Sequence, residues 1–356
     1  MHAAGAAVLA PAARSAPSTA WPILEGPNTP KICLDAPDTE SGMRRVKQLG
    51  VNYALGGGFA LPWKEADVRD HIARYRAGGL EIARLSFPLV PDVVFARPNR
   101  DQVIDQLRQS IRAAGRAGLK LIEYNFYSQR AYEGYYEEIG RAGAGYTGFD
   151  NDRMKGLPPL PEVGRHSAEE LWRNAEYLLK AIMPVAEECG IRMAIHPNDP
   201  PALTSHGSPQ ILATFANWKR YLSIVDSPCN GLTFDCGVTR ELGEDPVEVC
   251  RYLASRDRIN HVHFRNVRVR VPYEKYAEVF IDEGQVDMFG VMKELVRNKY
   301  TGTIFPEHPR ALDYDREFNT LSGRPQRGYP GGGGYAGYVF STAYARAMLQ
   351  AALASV

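Results

Sequence analysis

The sequence has no cysteine pair, no long apolar run and no excess of charge. Its five cysteines are an odd number and form no C-x-x-C pair, which argues against a disulfide framework and favours a reducing, cytoplasmic compartment. They are Cys33, Cys189, Cys229, Cys236 and Cys250. No apolar run approaches the roughly 18 residues that a membrane helix needs. The 42 basic and 41 acidic residues nearly cancel, so we expect a small-molecule partner rather than nucleic acid or a membrane.

A dinucleotide-binding fingerprint is also missing, because no G-x-G-x-x-G follows an early strand. This absence weakens an open doubly wound sheet as the fold. A chain of 356 residues fits one large α/β barrel. The Ala- and Pro-rich opening predicts a flexible N-terminal tail over residues 1–28, followed by a single catalytic domain over 29–356.

Short β-rich runs alternate with helical patterns along the rest of the chain. Ser167 and Glu170 have the spacing of a capping box, and Gly118 and Gly190 stand where C-terminal helix caps are expected. Roughly eight strands alternating with helices predict parallel βαβ units closed into a (β/α)8 TIM barrel. The predicted strands cover 51–57, 80–87, 119–126, 192–197, 231–236, 259–266 and 302–309, with further candidates near residues 31 and 277.

One segment, at about 127–166, fits neither the helical nor the strand period. It is rich in Gly, Pro and Tyr and is too long for an ordinary connection. We expect a loop insertion with a functional role over the barrel mouth; a disordered insert is the alternative.

Metal-type ligands stand at the ends of four successive predicted strands. They are His196 in AIHPNDPP, Asp235 in TFDCG, His263 in HVHFRN and Glu307 in FPEHP. A barrel brings the carboxyl ends of its strands together around one axis, and that end carries the active site. The sequence therefore predicts a metal site built from these four side chains.

Asp235 and Cys236 are adjacent, so only one of them can face that site from a strand. Leu232, Phe234 and Cys236 share one face, which looks like packing against helices, while Asp235 lies on the other. Asp235 is therefore the expected ligand. Two imidazoles and two carboxylates suit Mn²⁺ or Mg²⁺, tolerate Fe²⁺, Co²⁺ or Zn²⁺, and lack a thiolate that would favour zinc.

Most of the chain from about residue 26 resembles the D-mannonate dehydratase family. The matching segments include RAAGRAGLKLIEYNF, AIHPNDPP, HVHFRN, DEGQVDMFGVMKEL and GYAGYVFSTAYARAML. The resemblance implies a barrel of the xylose-isomerase-like class that uses a divalent metal, usually Mn²⁺. It also implies removal of water from D-mannonate to give 2-keto-3-deoxy-D-gluconate.

Carried over by position, the resemblance makes His196 and His263 metal ligands. Asp235 stands where the family has a ligand cysteine, and a shift of one residue would give that role to Cys236. Glu307 replaces an aspartate that is both ligand and acid in the family. The resemblance further implies that Tyr335 is the catalytic base and that Glu307 or His308 is the acid.

Four polar residues directly after the predicted ligands are expected to bind substrate. Arg265 and Asn266 follow His263 at the rim, where an arginine can bind a substrate carboxylate through two parallel hydrogen bonds. Asn198 and Asp199 follow His196 and are expected to orient the loop or contact hydroxyl groups. Because barrels of this kind often associate, we also expect a homo-oligomer.

Two other functions remain open on the sequence. A metal-dependent sugar isomerase, epimerase or lyase of the xylose-isomerase-like barrels would also use acidic ligands such as Asp235 and Glu307. Epimerases of that class use two metal-bound glutamates as proton shuttles, whereas the first position here is His196. A non-catalytic barrel that binds a sugar acid would need neither a metal nor a proton-transfer pair.

Overall fold

The computed structural model describes residues 25–127, 132–318 and 330–356. The predicted tail over 1–28 therefore lies almost entirely outside the described residues. The described residues form fourteen strands. These are β1 (Lys31–Asp35), β2 (Tyr53–Gly57), β3 (Glu81–Ser86), β4 (Leu121–Asn125), β5 (Tyr135–Ile139), β6 (Gly145–Asp150), β7 (Arg192–His196), β8 (Thr204–Ser205), β9 (Ser208–Pro209), β10 (Asn230–Asp235), β11 (Ile259–His263), β12 (Asn266–Val271), β13 (Lys275–Val279) and β14 (Thr303–Phe305).

Eight of these strands close into a parallel barrel, in the order β1-β14-β11-β10-β7-β4-β3-β2. Each of the seven main predicted strands, together with the candidate near residue 31, supplies one strand of the barrel. The prediction of a (β/α)8 TIM barrel is confirmed. The strand order places β7, β10, β11 and β14 side by side, so their carboxyl ends form one half of the mouth.

Helices surround the barrel, and α4 and α5 end at the predicted glycines. They are α1 (Glu40–Gln48), α2 (Glu65–Ala77), α3 (Pro91–Val94), α4 (Arg100–Ala117), α5 (Ala168–Cys189), α6 (Phe215–Ile224), α7 (Cys236–Glu241), α8 (Pro246–Ala254), α9 (Met288–Arg297), α10 (Asp313–Phe318) and α11 (Tyr335–Ser355). The Ser167 hydroxyl accepts the Glu170 N–H at 3.2 Å and caps α5. Gly118 and Gly190 end α4 and α5 with φ of 91° and 62°, which favours glycine. Within the described ranges, no helix is long and apolar enough to cross a bilayer.

The barrel interior carries charged and polar groups as well as apolar ones. Glu123 on β4 accepts a hydrogen bond from the Thr233 hydroxyl at 2.9 Å and lies 2.9 Å from Arg84 Nη2. His261 on β11 lies 2.8 Å from the Thr303 hydroxyl. These pairs satisfy buried polar atoms beneath the mouth and support the strand ends above them.

The segment at 127–166 contains regular structure rather than only a loop. Its strands β5 and β6 pair antiparallel with each other, and β6 also pairs with β13 in a sheet ordered β12-β13-β6-β5. The Tyr135 hydroxyl of β5 donates to Asp199 Oδ1 at 2.9 Å, so this sheet lies over the carboxyl ends of the barrel strands. We call it the mouth sheet. The sequence did not reveal it because its two hairpins are separated by more than a hundred residues.

Candidate metal centre

The four predicted ligands converge at the carboxyl ends of β7, β10, β11 and β14. One ligand atom from each of His196, Asp235, His263 and Glu307 lies within 4.8 Å of the others, and all four residues are buried. His263 Nδ1 stands at the centre of the group. It lies 3.1 Å from His196 Nε2, 3.0 Å from Glu307 Oε1 and 3.8 Å from Asp235 Oδ2.

Asp235 uses its two carboxylate oxygens in different directions. It is the last residue of β10 and the N-cap of α7, and its Oδ1 accepts the Val238 N–H at 2.8 Å. This bond satisfies one of the free N–H groups at the start of the helix. Its Oδ2 faces His263 and lies 3.1 Å from Arg265 Nε. The strand therefore ends with one oxygen fixed by the backbone and the other directed into the cluster.

Cys236 begins α7 and lies outside the cluster. Its side chain is fully buried in the main hydrophobic core, as the strand alternation predicts. Burial raises the pKa of its thiol well above the usual value, and the neighbouring Asp235 adds to this effect. A thiol in this environment stays protonated and packs as a small apolar group.

Both imidazoles are oriented by partners on the side away from the cluster. His196 Nδ1 lies 2.7 Å from the Pro197 carbonyl, which holds the ring with Nε2 towards His263. His263 Nε2 lies 3.4 Å from Glu123 Oε1. Carboxylates and carbonyls behind ligand histidines fix their orientation in metal sites. Sequence reasoning missed Glu123, although its place on an inward-facing position of β4 is a signal that could have indicated it.

The carboxylates around His263 favour a positive charge at the centre of the cluster. Burial alone would lower the pKa of His263, but the surrounding carboxylates, led by Glu307, raise it to about 10. Burial would raise the pKa of Asp235, yet Arg265 and His263 hold it well below its usual range. The cluster therefore keeps its acidic groups ionised and requires a compensating proton or cation.

The donor set fits a divalent cation. Two nitrogen and two oxygen donors are the hard and borderline ligands that Mn²⁺ and Mg²⁺ accept, and none of the five cysteines belongs to the group. Glu307 Oε1 is buried and makes no hydrogen bond of good geometry among the described residues, although His263 Nδ1 and Arg265 Nε lie 3.0 and 3.2 Å from it. This buried cluster therefore indicates a divalent metal.

Arg265 lies inside the protein rather than at the rim. It is 2% exposed, and each of its nitrogens faces a carboxylate. Its Nε lies 3.2 Å from Glu307 Oε1 as well as close to Asp235, and its Nη1 lies 2.7 Å from Glu241 on α7. Arg265 was expected to bind a substrate carboxylate at the rim. In the structure its guanidinium is surrounded by acidic side chains of the protein.

The other three predicted substrate residues are buried and have structural partners. Asn198 accepts the Leu212 N–H at 2.8 Å, and Asn266 accepts the Val286 N–H at 2.9 Å. Asp199 accepts the Tyr135 hydroxyl of the mouth sheet and lies 3.5 Å from Arg265 Nη2. These contacts hold the loops after β7 and β11 in place. The three side chains therefore fix the shape of the barrel mouth and are not exposed to solvent.

His308 lies beside the cluster and is more exposed than the four ligands. Its Nε2 is 3.6 Å from Glu307 Oε2, and its Nδ1 is 3.0 Å from Glu278 Oε2 on strand β13 of the mouth sheet. The same Glu278 oxygen lies 2.8 Å from Arg310 Nη2. Glu278 and Arg310 were not identified from the sequence, because their link to His308 depends on the pairing of the mouth sheet.

Tyr335 is not brought to the cluster. It is the first residue of α11, and its hydroxyl donates to the Arg45 carbonyl of α1 at 3.4 Å, outside the barrel. Three residues later, Tyr338 stacks on Phe305 at the end of β14 with ring centroids 6.1 Å apart. Burial, followed by the charges of nearby carboxylates, raises the pKa of Tyr338 well above its usual value. The rotation of α11 thus presents a different, protonated tyrosine to the mouth.

The fold of this chain is shared with solved structures of similar proteins. The mannonate dehydratase from Streptococcus suis serotype 2 superimposes with a TM-score of 0.79 at 26% identity, covering 92% of this chain and 95% of that one. An L-ribulose 3-epimerase covers 92% of this chain and 97% of its own with a TM-score of 0.55 at 14% identity, which shows the fold alone. The chain therefore shares its barrel fold with both proteins.

Sequence comparison gives the family. The model described as D-mannonate dehydratase (UxuA) matches residues 133–351. The mannonate dehydratase of Streptococcus equi subsp. zooepidemicus is 31% identical over 276 residues, which cover 70% of this chain and 76% of that protein. The mannonate dehydratase of Thermotoga maritima is 31% identical over 314 residues, which cover 76% and 86%. The chain belongs to the D-mannonate dehydratase family of hydro-lyases.

Proposed function

We propose that this protein is a Mn²⁺-dependent dehydratase that converts D-mannonate into 2-keto-3-deoxy-D-gluconate and water. The observation that carries the proposal is the convergence of two imidazoles and two carboxylates at the barrel mouth of a chain of this family. The replacement of the family's ligand cysteine by Asp235 and of its ligand aspartate by Glu307 keeps four donors in place.

His196, Asp235, His263 and Glu307 would hold the metal. A bound divalent ion polarises a hydroxyl or carboxylate of the substrate and acidifies the neighbouring C–H bond. We favour Mn²⁺ over Mg²⁺, Fe²⁺ or Co²⁺ because the set mixes two nitrogens with two carboxylate oxygens and matches the usual metal of the family.

We assign the proton transfers to Glu307 and His308. Glu307 Oε1 faces His263, whereas its Oε2 faces His308 Nε2 at 3.6 Å, so both groups can approach the same part of a substrate. Glu307 Oε2 accepts the proton from the carbon next to the substrate carboxylate. His308, held as a proton donor by Glu278, gives its proton to the departing hydroxyl, which leaves as water. The resulting enol takes a proton from solvent at the carbon that lost the hydroxyl and releases its own hydroxyl proton, which gives the 2-keto-3-deoxy acid. Exchange with solvent restores both groups.

Tyr335 has no part in this assignment, because its hydroxyl donates to α1 outside the barrel. The isomerase and epimerase alternative has the support of the fold alone. His196 at the first ligand position offers no carboxylate for a proton shuttle on the second face of a carbon atom, which favours dehydration.

The test is an assay of D-mannonate turnover with Mn²⁺-supplemented protein and an EDTA-treated control, following the 2-keto-3-deoxy acid. We expect product only with the metal, and loss of at least about 100-fold in kcat for H308N with retained metal binding. Folded, metal-loaded protein that makes no product would contradict the proposal and direct the assay to aldoses and ketoses.

We further propose a cytoplasmic homo-oligomer that takes a sugar acid as its only partner. Five unpaired cysteines suit a reducing compartment. Light scattering coupled to gel filtration tests the assembly, and a mass near 39.5 kDa would contradict it.

A further inference from the structure

Two polar side chains at the barrel mouth stand on either side of the metal-type cluster and are not used by it. Asp35 ends β1, which neighbours β14, and Asn125 ends β4, which neighbours β7. The strand order therefore places Asp35 next to the Glu307 side of the cluster and Asn125 next to the His196 side.

Both side chains point into the barrel. Asn125 is paired in register with His196, and residues paired across parallel strands share a face. Asp35 is paired in register with Leu55 of β2, and Leu55 with Arg84 of β3, whose guanidinium lies 2.9 Å from Glu123 inside the barrel. Asp35 is nevertheless exposed and Asn125 is half-buried, so solvent reaches this side of the mouth.

Neither side chain has a hydrogen-bond partner in the part of the chain that the structure describes. Among the described residues, the carboxylate of Asp35 has no hydrogen bond or ion pair, and the amide of Asn125 has no hydrogen bond. The four predicted substrate residues contrast with them, since each has partners within the protein. Asp35 and Asn125 thus present free acceptors, and Asn125 also free donors, at an accessible position.

An open space lies between them along the remaining strands. Gly57 ends β2, is paired in register with Ser86 of β3, and is exposed. A Cβ built on Gly57 would meet no atom within 4 Å. The half of the mouth formed by β1 to β4 therefore has open space beside Gly57, whereas the other half carries the cluster.

We infer that Asp35 and Asn125 form a hydroxyl-binding subsite that holds the polyol chain of the substrate, with the space beside Gly57 as its floor. This inference rests on the proposed function, because the cluster would hold the acidic end of the same molecule. A carboxylate accepts hydrogen bonds from hydroxyl groups, and a primary amide both accepts and donates them. The subsite therefore fits a chain of several hydroxyl groups and gives the site its preference for sugar acids over short hydroxy acids.

The test compares D35A, N125A and G57V with wild type for kcat and KM on D-mannonate, and for Mn²⁺ affinity by EPR. Loss of one hydrogen bond predicts a KM about 3- to 10-fold higher for N125A, and loss of a charged acceptor predicts at least about 10-fold for D35A. G57V fills the space and should raise KM similarly. Mn²⁺ affinity should stay within about threefold in all three, and D70A, an exposed change on α2, is the matched control.

Unchanged KM in both D35A and N125A, with an active wild type, would overturn the subsite and leave the proposed function standing. An inactive wild type would instead contradict the proposed function. In that case, titration calorimetry of D-mannonate and D-gluconate into the Mn²⁺-loaded protein decides the subsite. Weaker binding by N125A than by wild type supports it, and equal binding, or no binding of either acid, overturns it.

Discussion

Asp235 shows how one residue can connect the fold to the chemistry. Its backbone ends a strand, one oxygen caps the helix that follows and the other enters the cluster. An N-cap requires a short side chain with an acceptor, and a hard metal ligand requires a carboxylate, so aspartate meets both needs. Cys236, one position later, meets neither and fills the core.

We predict that D235N and D235A differ in stability and agree in metal binding. Both variants lose the charged ligand, so Mn²⁺ affinity should fall by more than about 100-fold. This is a larger fall than mutation of a residue that only supports a ligand typically causes. D235N keeps a capping oxygen, whereas D235A should lose a further ~1 kcal/mol of unfolding free energy. Metal analysis after gel filtration and urea unfolding measure the two effects. C236A is the control, and loss of its metal would contradict the assignment.

Arg265 is a second residue whose environment predicts a measurable loss of stability on substitution. It is surrounded by acidic side chains on β10, α7, β13 and the mouth loops. Removing it in R265M leaves buried carboxylates without a counter-charge, and we expect a loss of about 3–5 kcal/mol in the free energy of unfolding.

Urea unfolding of R265M beside R76M tests this expectation. Arg76 forms an exposed pair with Glu81 at 2.8 Å, so R76M should cost less than about 1 kcal/mol. Equal losses of unfolding free energy in R265M and R76M would show that Arg265 does not stabilise the buried carboxylates around it.

At the scale of elements, the mouth sheet supplies a side chain that supports the candidate site. Strand β13 contributes Glu278, which contacts both His308 and Arg310, so the orientation of a proposed acid depends on a strand outside the barrel. Barrel enzymes carry their chemistry on the loops after the strands, and here two of those loops form a sheet of their own.

We predict that E278Q lowers kcat by about 10- to 100-fold while Mn²⁺ affinity stays near that of wild type. The glutamine keeps the size of the side chain but no longer stabilises a charged imidazole at His308. E138Q, on strand β5 of the same sheet, is the matched control because Glu138 pairs with Arg270 at the surface. A kcat for E278Q equal to that of E138Q would exclude the positioning role.

The elements also show what the sequence could and could not predict. Barrel strands and the caps at Ser167, Gly118 and Gly190 depend on local patterns, so they were predicted. The mouth sheet pairs segments that are distant in sequence and carry no local signal for their partner. The sequence does not show which tyrosine of α11 lies nearest the mouth. Tyr335 and Tyr338 differ by only about 60° around the helix axis and about 4.5 Å along it, so the docking of the helix on the barrel decides between them.

For the whole molecule, a closed barrel concentrates acidic side chains at one buried end although the chain is nearly neutral. The convergence of the four candidate ligands could be predicted because each stands at or just after the end of a strand whose neighbours are fixed by the fold. The supporting residues Glu123, Glu278 and Arg310 required the three-dimensional pairing.

We predict that metal removal lowers the melting temperature of the whole domain. Binding at 100 times the dissociation constant adds about 2.7 kcal/mol to stability, and a chain of this size should gain roughly 3–4 °C from it. Differential scanning calorimetry with Mn²⁺ and with EDTA measures the change. D235N should show no such difference, and a wild type without one would contradict a metal held by this cluster.

The outward orientation of Cys236 has a consequence for the cell. A thiolate ligand is the atom of a metal site that peroxide attacks first, and its oxidation releases the metal. In the proposed centre of this protein, the donors are imidazole nitrogens and carboxylate oxygens, and the thiol of Cys236 is protonated and buried in the core. Such a centre would keep its ligands through an oxidative burst that disables a sulfur-ligated relative.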